Sequence, residues 1–427
     1  MPVLRAPVHL AADEVEPLTA EAAFDRSCRA ALADSDIGTV GLEVETHLVN
    51  LGAVEAAVRW DKVESAVELA RAVTTSSSIT VEPGGQLELS SSPAPHILTA
   101  VADMRRDVTS ARLALAPLGI GLAHVGADPL RLPHRINPRP RYRAMEQHFA
   151  ATGKELAGLV MMNSTAALQV NLQAGPRSTW PARVAHAHRL GPTLVALSAN
   201  SPWLRGRDTG WKSARQRAWA GLDARACGPL PGYLSPLGVA DPAAAWAHYA
   251  LRAPVAFVRT GTDDMAAVGR SVSFEQWATG AVRLGGRLPT AVDLDIHLTT
   301  LFPPVRLRGY LELRYLDMTA PRWWPAIAAV TTTLMDDPVA ADLAAEATEP
   351  AALLWRQAAR AGLGDPVLAD CARRCVEIAA GRMPAELATA VTDLTELIDS
   401  GRCPGDLLAE RIAEVGPRAA FEELAHA

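Results

Sequence analysis

Glu43 and Glu45 stand two residues apart in the stretch Thr39 to Val49, where Val40, Leu42, Val44 and Leu48 fill alternate positions. On a strand, successive side chains point to opposite faces, so Glu43, Glu45 and His47 share one face and the aliphatics the other. The two acids then sit roughly 6–7 Å apart at their Cα atoms. Carboxylates held that close repel unless a cation lies between them. A hard divalent ion that prefers oxygen ligands, Mg²⁺, meets that need. The same division recurs in Thr80 to Ser90, where Leu87 and Leu89 oppose Gln86, Glu88 and Ser90 after a Pro83-Gly84-Gly85 break. Glu82 precedes the break and could face either way. The glycine pair lets the backbone come close to a neighbour or ligand. In Thr165 to Gln173, Gln169, Asn171 and Gln173 oppose Leu168, Val170 and Leu172. In Tyr310 to Tyr315, Glu312 and Arg314 share a face with Tyr310, against Leu311, Leu313 and Tyr315. Any one of these runs could be a solvated strand face. Together they describe a floor of acids and amides with Arg314 among them.

A second constellation is Trp211 to Trp219, which holds Arg215 and Arg217. On a helix, Arg215 and Trp219 are four apart and stack on one side. The arrangement is either a surface cation–π pair or an anion clamp.

The elements that must position these groups are strands interspersed with amphipathic helices, without a regular βαβ rhythm. Helices are expected over Thr19–Ala33, Asp61–Val73, Pro95–Leu118, Tyr142–Ala151 and Pro181–Ser198, with a nearly all-helical tail from Pro321. Ile120–Ala127 and Val255–Val258 read as short strands, and Asp293–His297 alternates like one. The expected class is α+β: a mainly antiparallel sheet with a concave polar face and helices on the other. The Pro- and Arg-rich loop Asp128–Pro140, with Arg131, Arg135 and Arg139, is a candidate lid. His124 reads as a packing residue.

Composition narrows the functional classes. Of the residues, 49% are hydrophobic, enough for a large core, and the net charge is −6. That balance argues against nucleic acid or an anionic membrane as the main partner. Five cysteines without a C-x-x-C pair indicate neither a disulfide framework nor a zinc site. Met1–Glu16 lacks a charged start followed by an apolar run, and no apolar run reaches transmembrane length, so a cytoplasmic protein is expected.

Several carboxylates with few neutralising cations suit two or three Mg²⁺ ions that take part of their coordination from phosphate. The chemistry this points to is phosphoryl transfer from ATP. The chain has no P-loop, kinase-type glycine loop or Rossmann fingerprint.

The ordered set of segments resembles the glutamate–cysteine ligases of the plant and proteobacterial type, within the glutamine-synthetase-like carboxylate–amine ligases. The likeness is carried by Glu43-Val-Glu45, Glu82–Ser90, Leu168–Leu172, Ala199-Asn-Ser-Pro202, Ser213-Ala-Arg215 with Trp219, Tyr249-Ala-Leu251 with Phe257-Val258, and His297–Pro303 with Tyr310–Arg314. It implies a glutamine-synthetase-like catalytic domain over 1–335 and a helical C-terminal extension, 336–427, packed on it. It also implies that the glutamate γ-carboxylate is phosphorylated by ATP and the cysteine amine then displaces phosphate. The arginine- and alanine-rich composition points to the actinobacterial ligases that serve ergothioneine synthesis. The implied metal ligands are Glu43, Glu45, Glu88 and Glu312, with Glu82 a weaker candidate. Arg314 and Arg215 are the implied catalytic arginines, with Arg217 as the fallback. Gln86, Gln169, Asn171, Trp219 and Tyr249 are the implied substrate-binding residues, and a monomer or weak homodimer is implied. Asn171 stands where many of the wider group have His. Arg252 replaces a plant-type acid, and the plant redox-switch cysteines have no counterpart. An alternative amine acceptor, or a non-catalytic binding protein on a ligase scaffold, is therefore also compatible.

Overall fold

The structure, a computed structural model, describes residues 16–233, 239–261 and 264–427. The segment 1–15, where a leader was sought, lies outside them. Among the described residues no helix is long and apolar enough to cross a membrane.

A seven-stranded sheet is the centre of the fold. Its strands are β1 (Val40–Asn50), β2 (Ser77–Val81), β3 (Leu87–Ser91), β4 (Ile120–Ala123), β5 (Ala167–Gln173), β6 (Val305–Leu307) and β7 (Tyr310–Asp317). The order is β6-β7-β5-β1-β3-β2, with β4 paired to the far end of β1. Every pairing is antiparallel.

The alternation read in the sequence sorts the two faces. Val40, Leu42, Val44, Leu87, Leu89, Leu168, Val170, Leu311 and Leu313 are all fully buried. They join one continuous core with the helices Ile97–Leu115, Trp180–Ser198 and Trp324–Asp336. The C-terminal helices Pro338–Thr348, Pro366–Ala380 and Ala385–Asp399 share that core. The last helix, Pro404–His426, closes a smaller cluster in which Phe421 and Ile412 pack beside Val49, Ala123 and Val125.

One local expectation changes. Asp293–His297 lies within a helix, Ala291–Leu298, and not a strand. Thr290 caps it and Asp293 returns a bond to the Thr290 backbone, so a capping box overrides the alternating pattern. Pro83-Gly84-Gly85 forms the turn between β2 and β3. Gly85 takes φ +86 and closes the β2–β3 hairpin by donating to the Glu82 carbonyl at 3.0 Å. A Cβ on Gly84 would stand 2.2 Å from the Asn163 carbonyl oxygen. Gly84 therefore admits the backbone of Asn163, while Pro83 of the same turn lines the cavity described below. The Asp128–Pro140 loop is also held in place. Arg131 bonds Asp128 and the Leu48 carbonyl, and Arg135 bonds Glu146 and the Asn137 carbonyl.

Gly84→Ala is expected to destabilise the chain by about 2 kcal/mol or more, because the obstructing atoms are backbone. Gly364→Ala, where an added Cβ meets nothing within 4 Å, should shift stability by less than about 1 kcal/mol. Denaturant unfolding of the two variants checks the contrast, and equal losses would refute it.

Candidate active site

Strand register brings the polar residues into three lateral rows. Arg306, Glu312, Asn171 and Gly41 lie opposite one another on β6, β7, β5 and β1. The next row is Gln169, Glu43, Ser90 and Ser78. The third is Glu45, Glu88 and Thr80. Cross-strand neighbours stand close enough for direct side-chain interaction. These rows form the floor of a cavity of about 900 Å³.

Glu43 and Glu45 are oriented by donors from the neighbouring strand β5, and Glu88 by a donor on its own strand. The Asn171 amide donates to Glu43 at 2.8 Å. Glu45 accepts from the Ala167 backbone at 2.7 Å and from the Gln169 amide at 3.0 Å. Ser90 donates to Glu88 at 2.8 Å, and Glu82 shares a hydrogen bond with Glu88. Glu82 thus faces the cavity with the others. These contacts do not offset the burial of so many like charges. Burial, and then the Glu88 and Glu312 carboxylates, push Glu43 up to about 8. Burial and Glu88 push Glu45 up to about 7. Glu82 is raised well above its ordinary value, by burial first and then by Glu88 and Glu45. The floor is short of positive charge.

Glu312 is the exception. It is fully buried beneath the cavity, and its carboxylate is chelated by Arg306, at 2.7 Å for one of the two bonds. Arg314 donates to the same carboxylate at 2.7 Å and to Gln169 at 2.6 Å. Although burial opposes it, the two guanidiniums hold Glu312 down at about 2. Glu312 therefore arrives already neutralised, unlike its three partners in the expected metal set.

Arg215 lies in the first turn of the short helix Ala214–Ala220, capped by Ser213. Its guanidinium is 4.6 Å from the Trp219 ring centre, on the cavity side, and donates to the Arg314 carbonyl at 2.6 Å. Asp317 stands behind it, 3.8 Å from Nη1. Asp317 accepts from the Asn200 backbone and from the Ser201 and Ser213 hydroxyls at 2.6–3.0 Å. A Cβ on Gly126 would press within 2.7 Å of its carboxyl group, so glycine is needed there. The Arg215 Nε atom has no hydrogen-bond partner and is buried. Such a donor on a cavity wall is available to an anion.

Glu43, Glu45, Glu82 and Glu88 line the one cavity, as do Gln86, Gln169 and Asn171. Arg215, Trp219 and Arg314 line it too. Gln86 is anchored by donating to the Thr165 carbonyl at 2.8 Å. Two expected residues are elsewhere. Arg217 is exposed, bonded to the Thr209 carbonyl and lying over Trp211. Two positions from Arg215 on a helix, it faces a different side. Tyr249 is buried behind the wall, where it stacks on Trp246 at 5.6 Å and donates to the Gly228 carbonyl. Trp246, not Tyr249, reaches the cavity. Arg139, from the arginine-rich loop, also lines it, as do Arg141 and Arg306, which were not singled out. Pairing Val305–Leu307 with Tyr310–Asp317 as a hairpin across Gly309 would have placed Arg306 opposite Glu312.

Asp317→Ala should cost about 3–5 kcal/mol of stability, because it leaves Arg215 buried without its counter-charge. Asp317→Asn keeps the hydrogen-bonding shape and should cost less, and denaturant unfolding ranks the two. A loss below about 1 kcal/mol for Asp317→Ala would mean that Arg215 does not depend on this carboxylate.

Relatives place the chain. A curated glutamate–cysteine ligase, EgtA of Mycobacterium tuberculosis, is 46% identical over 417 residues, covering 97% of this chain and 96% of that one. Its counterpart from Mycolicibacterium smegmatis is 47% identical over 411 residues, covering 96% of each. The chloroplastic glutamate–cysteine ligase of Arabidopsis thaliana is more distant, at 31% over 271 residues, covering 62% of this chain and 50% of that one. A solved glutamate–cysteine ligase from Francisella tularensis, in complex with AMP, shares the fold with a TM-score of 0.51 at 14% identity, covering 92% of this chain and 88% of that one. The family model described as glutamate–cysteine ligase family 2 matches residues 39–425, and the chain belongs to that family.

Proposed function

We propose that this enzyme uses ATP to join the γ-carboxylate of glutamate to the amine of cysteine, giving γ-glutamylcysteine, ADP and phosphate. The observation that carries the reading is the cavity floor, where several half-buried carboxylates share one cavity of about 900 Å³ with Arg215 and Arg314. In the first step a carboxylate oxygen of glutamate forms a bond to the γ-phosphorus of ATP, and the bond to the ADP oxygen breaks. In the second, the cysteine nitrogen attacks the acyl carbon of γ-glutamyl phosphate. Phosphate leaves with its electron pair and the nitrogen loses a proton. The first step brings anions together and the second develops negative charge on the acyl oxygen and the leaving phosphate, so the protein's contribution is fixed positive charge and orientation.

Arg314, held by Glu312 and Gln169, is assigned to the transferred phosphoryl group. Arg215, fixed by Asp317 and Trp219, is assigned to the glutamate carboxylate or the same phosphoryl group. Gln86 and Asn171 orient glutamate and water.

The donor set fits Mg²⁺. Glu43, Glu45 and Glu88 are hard oxygen ligands, and Glu82 adds a fourth. Among the described residues no three His, Cys, Asp or Glu side chains form a ready cage. An ion held here would therefore have to complete its shell with water and phosphate oxygens. Two or three Mg²⁺ ions would supply the missing countercharge on the floor and on the triphosphate. Glu312 would have to exchange Arg306 for a metal to join the set, and we assign it instead to fixing Arg314. The similarity to the EgtA ligases further supports supply of γ-glutamylcysteine to ergothioneine or a related small thiol.

Phosphate release that requires both glutamate and cysteine, with γ-glutamylcysteine identified by mass, tests the reaction. If alanine or another amine served as well as cysteine, the acceptor assignment would fall. Glu45→Gln should lower turnover by about 100-fold or more. Chelation of divalent ions should abolish turnover and added Mg²⁺ should restore it. Full activity of Glu45→Gln would remove Glu45 from the metal set.

A further inference from the structure

A second cavity, of about 240 Å³, lies against the first. The two share a partition of two side chains, Met145 and Phe302. Phe302 belongs to the site, since Arg314 lies 6.0 Å from its ring centre. Met145 is unbranched and adaptable, so the wall it forms is easily repacked.

The second cavity is graded from rim to interior. Lys154, Asp223, Arg225 and Ser271 are partly or fully exposed at its edge, whereas Ala226, Cys227, Pro254 and Ala256 are buried within. Asp223 holds Arg225 at 2.6 and 3.0 Å, and Arg225 reaches across to Ser271 at 2.6 Å. The rim is therefore a tied frame. Lys154 lines the same edge, with its ammonium in the field of the Asp223 carboxylate. An ammonium at the mouth attracts a carboxylate. A small apolar interior with a thiol in its wall suits a short, weakly polar side chain. A triphosphate is too large and too highly charged for it.

The geometry points to a side entrance through which the acceptor amino acid, a small zwitterion bearing a thiol, reaches the reacting centre past Met145 and Phe302 while nucleotide and glutamate occupy the main cavity. The inference rests on the proposed cysteine acceptor and gives it a route of its own. An acyl phosphate hydrolyses if its site stays open to water. Admission of the second substrate through a narrow apolar throat leaves the wide mouth closed by nucleotide.

Ala256→Phe would fill the throat at a residue outside the main cavity, and Lys154→Glu would reverse the charge at its rim. Phosphate-release kinetics should show the KM for cysteine rising about tenfold in Ala256→Phe and about threefold in Lys154→Glu, with the KM values for glutamate and ATP within about twofold of wild type. An unchanged KM for cysteine in both variants overturns the side entrance, as does an equal rise for all three substrates. Thermal melting establishes that each variant is folded. If Ala256→Phe is not, Lys154→Glu decides the matter alone. Absence of glutamate- and cysteine-dependent phosphate release in the wild-type protein would instead defeat the underlying reading.

Discussion

Like charge buried at close range governs this structure. Glu43, Glu45, Glu82 and Glu88 face one cavity, and the fold around them limits their repulsion without removing it. Amides from β5 and a backbone N–H at Ala167 satisfy single oxygens. The aliphatic face behind the strands keeps the floor rigid, so the acids cannot move apart. The arginines that line the cavity do not hold Glu43, Glu45 and Glu82 at their ordinary values, and a bound cation or protons would do so.

The arginines are treated in the opposite way, because each is tied down from behind. Arg306 and Glu312 neutralise one another completely, and Arg314 is steered by the remaining acceptor positions. Arg215 rests on Asp317, whose other oxygens are taken by Asn200, Ser201 and Ser213. A guanidinium fixed in this way keeps free N–H groups aimed into the cavity and needs little reorganisation when charge develops there.

Much of this was legible in the sequence where period-2 alternation is strong. Glu43, Glu45, Glu88, Gln169 and Asn171 all fall on the face that their neighbours' burial requires. The residues that were missed depend on information outside any single strand. Arg306 is defined by the register of a hairpin and not by its own neighbours. Asp317 follows a register shift in the β5–β7 pairing between Leu313 and Leu316, which plain alternation does not carry. Asp293–His297 alternates like a strand but is governed by a cap at Thr290. Arg217 and Tyr249 have the right chemistry on the wrong side of their helices, where a small error of phase separates cavity from surface or core.

The strand order has a consequence for how the chain acquires its site. β1 pairs with β3, β4 and β5, and β5 pairs in turn with β7, so the rows of the floor join residues as far apart in sequence as Gly41 and Glu312. Contacts of such separation form late, because the intervening chain must first lose its freedom. A chain in which β7 has not yet paired with β5 lacks Glu312 and Arg314 from the floor. Ligand binding is thus coupled to completion of the whole sheet, and ligands that engage the floor stabilise the entire native state by mass action.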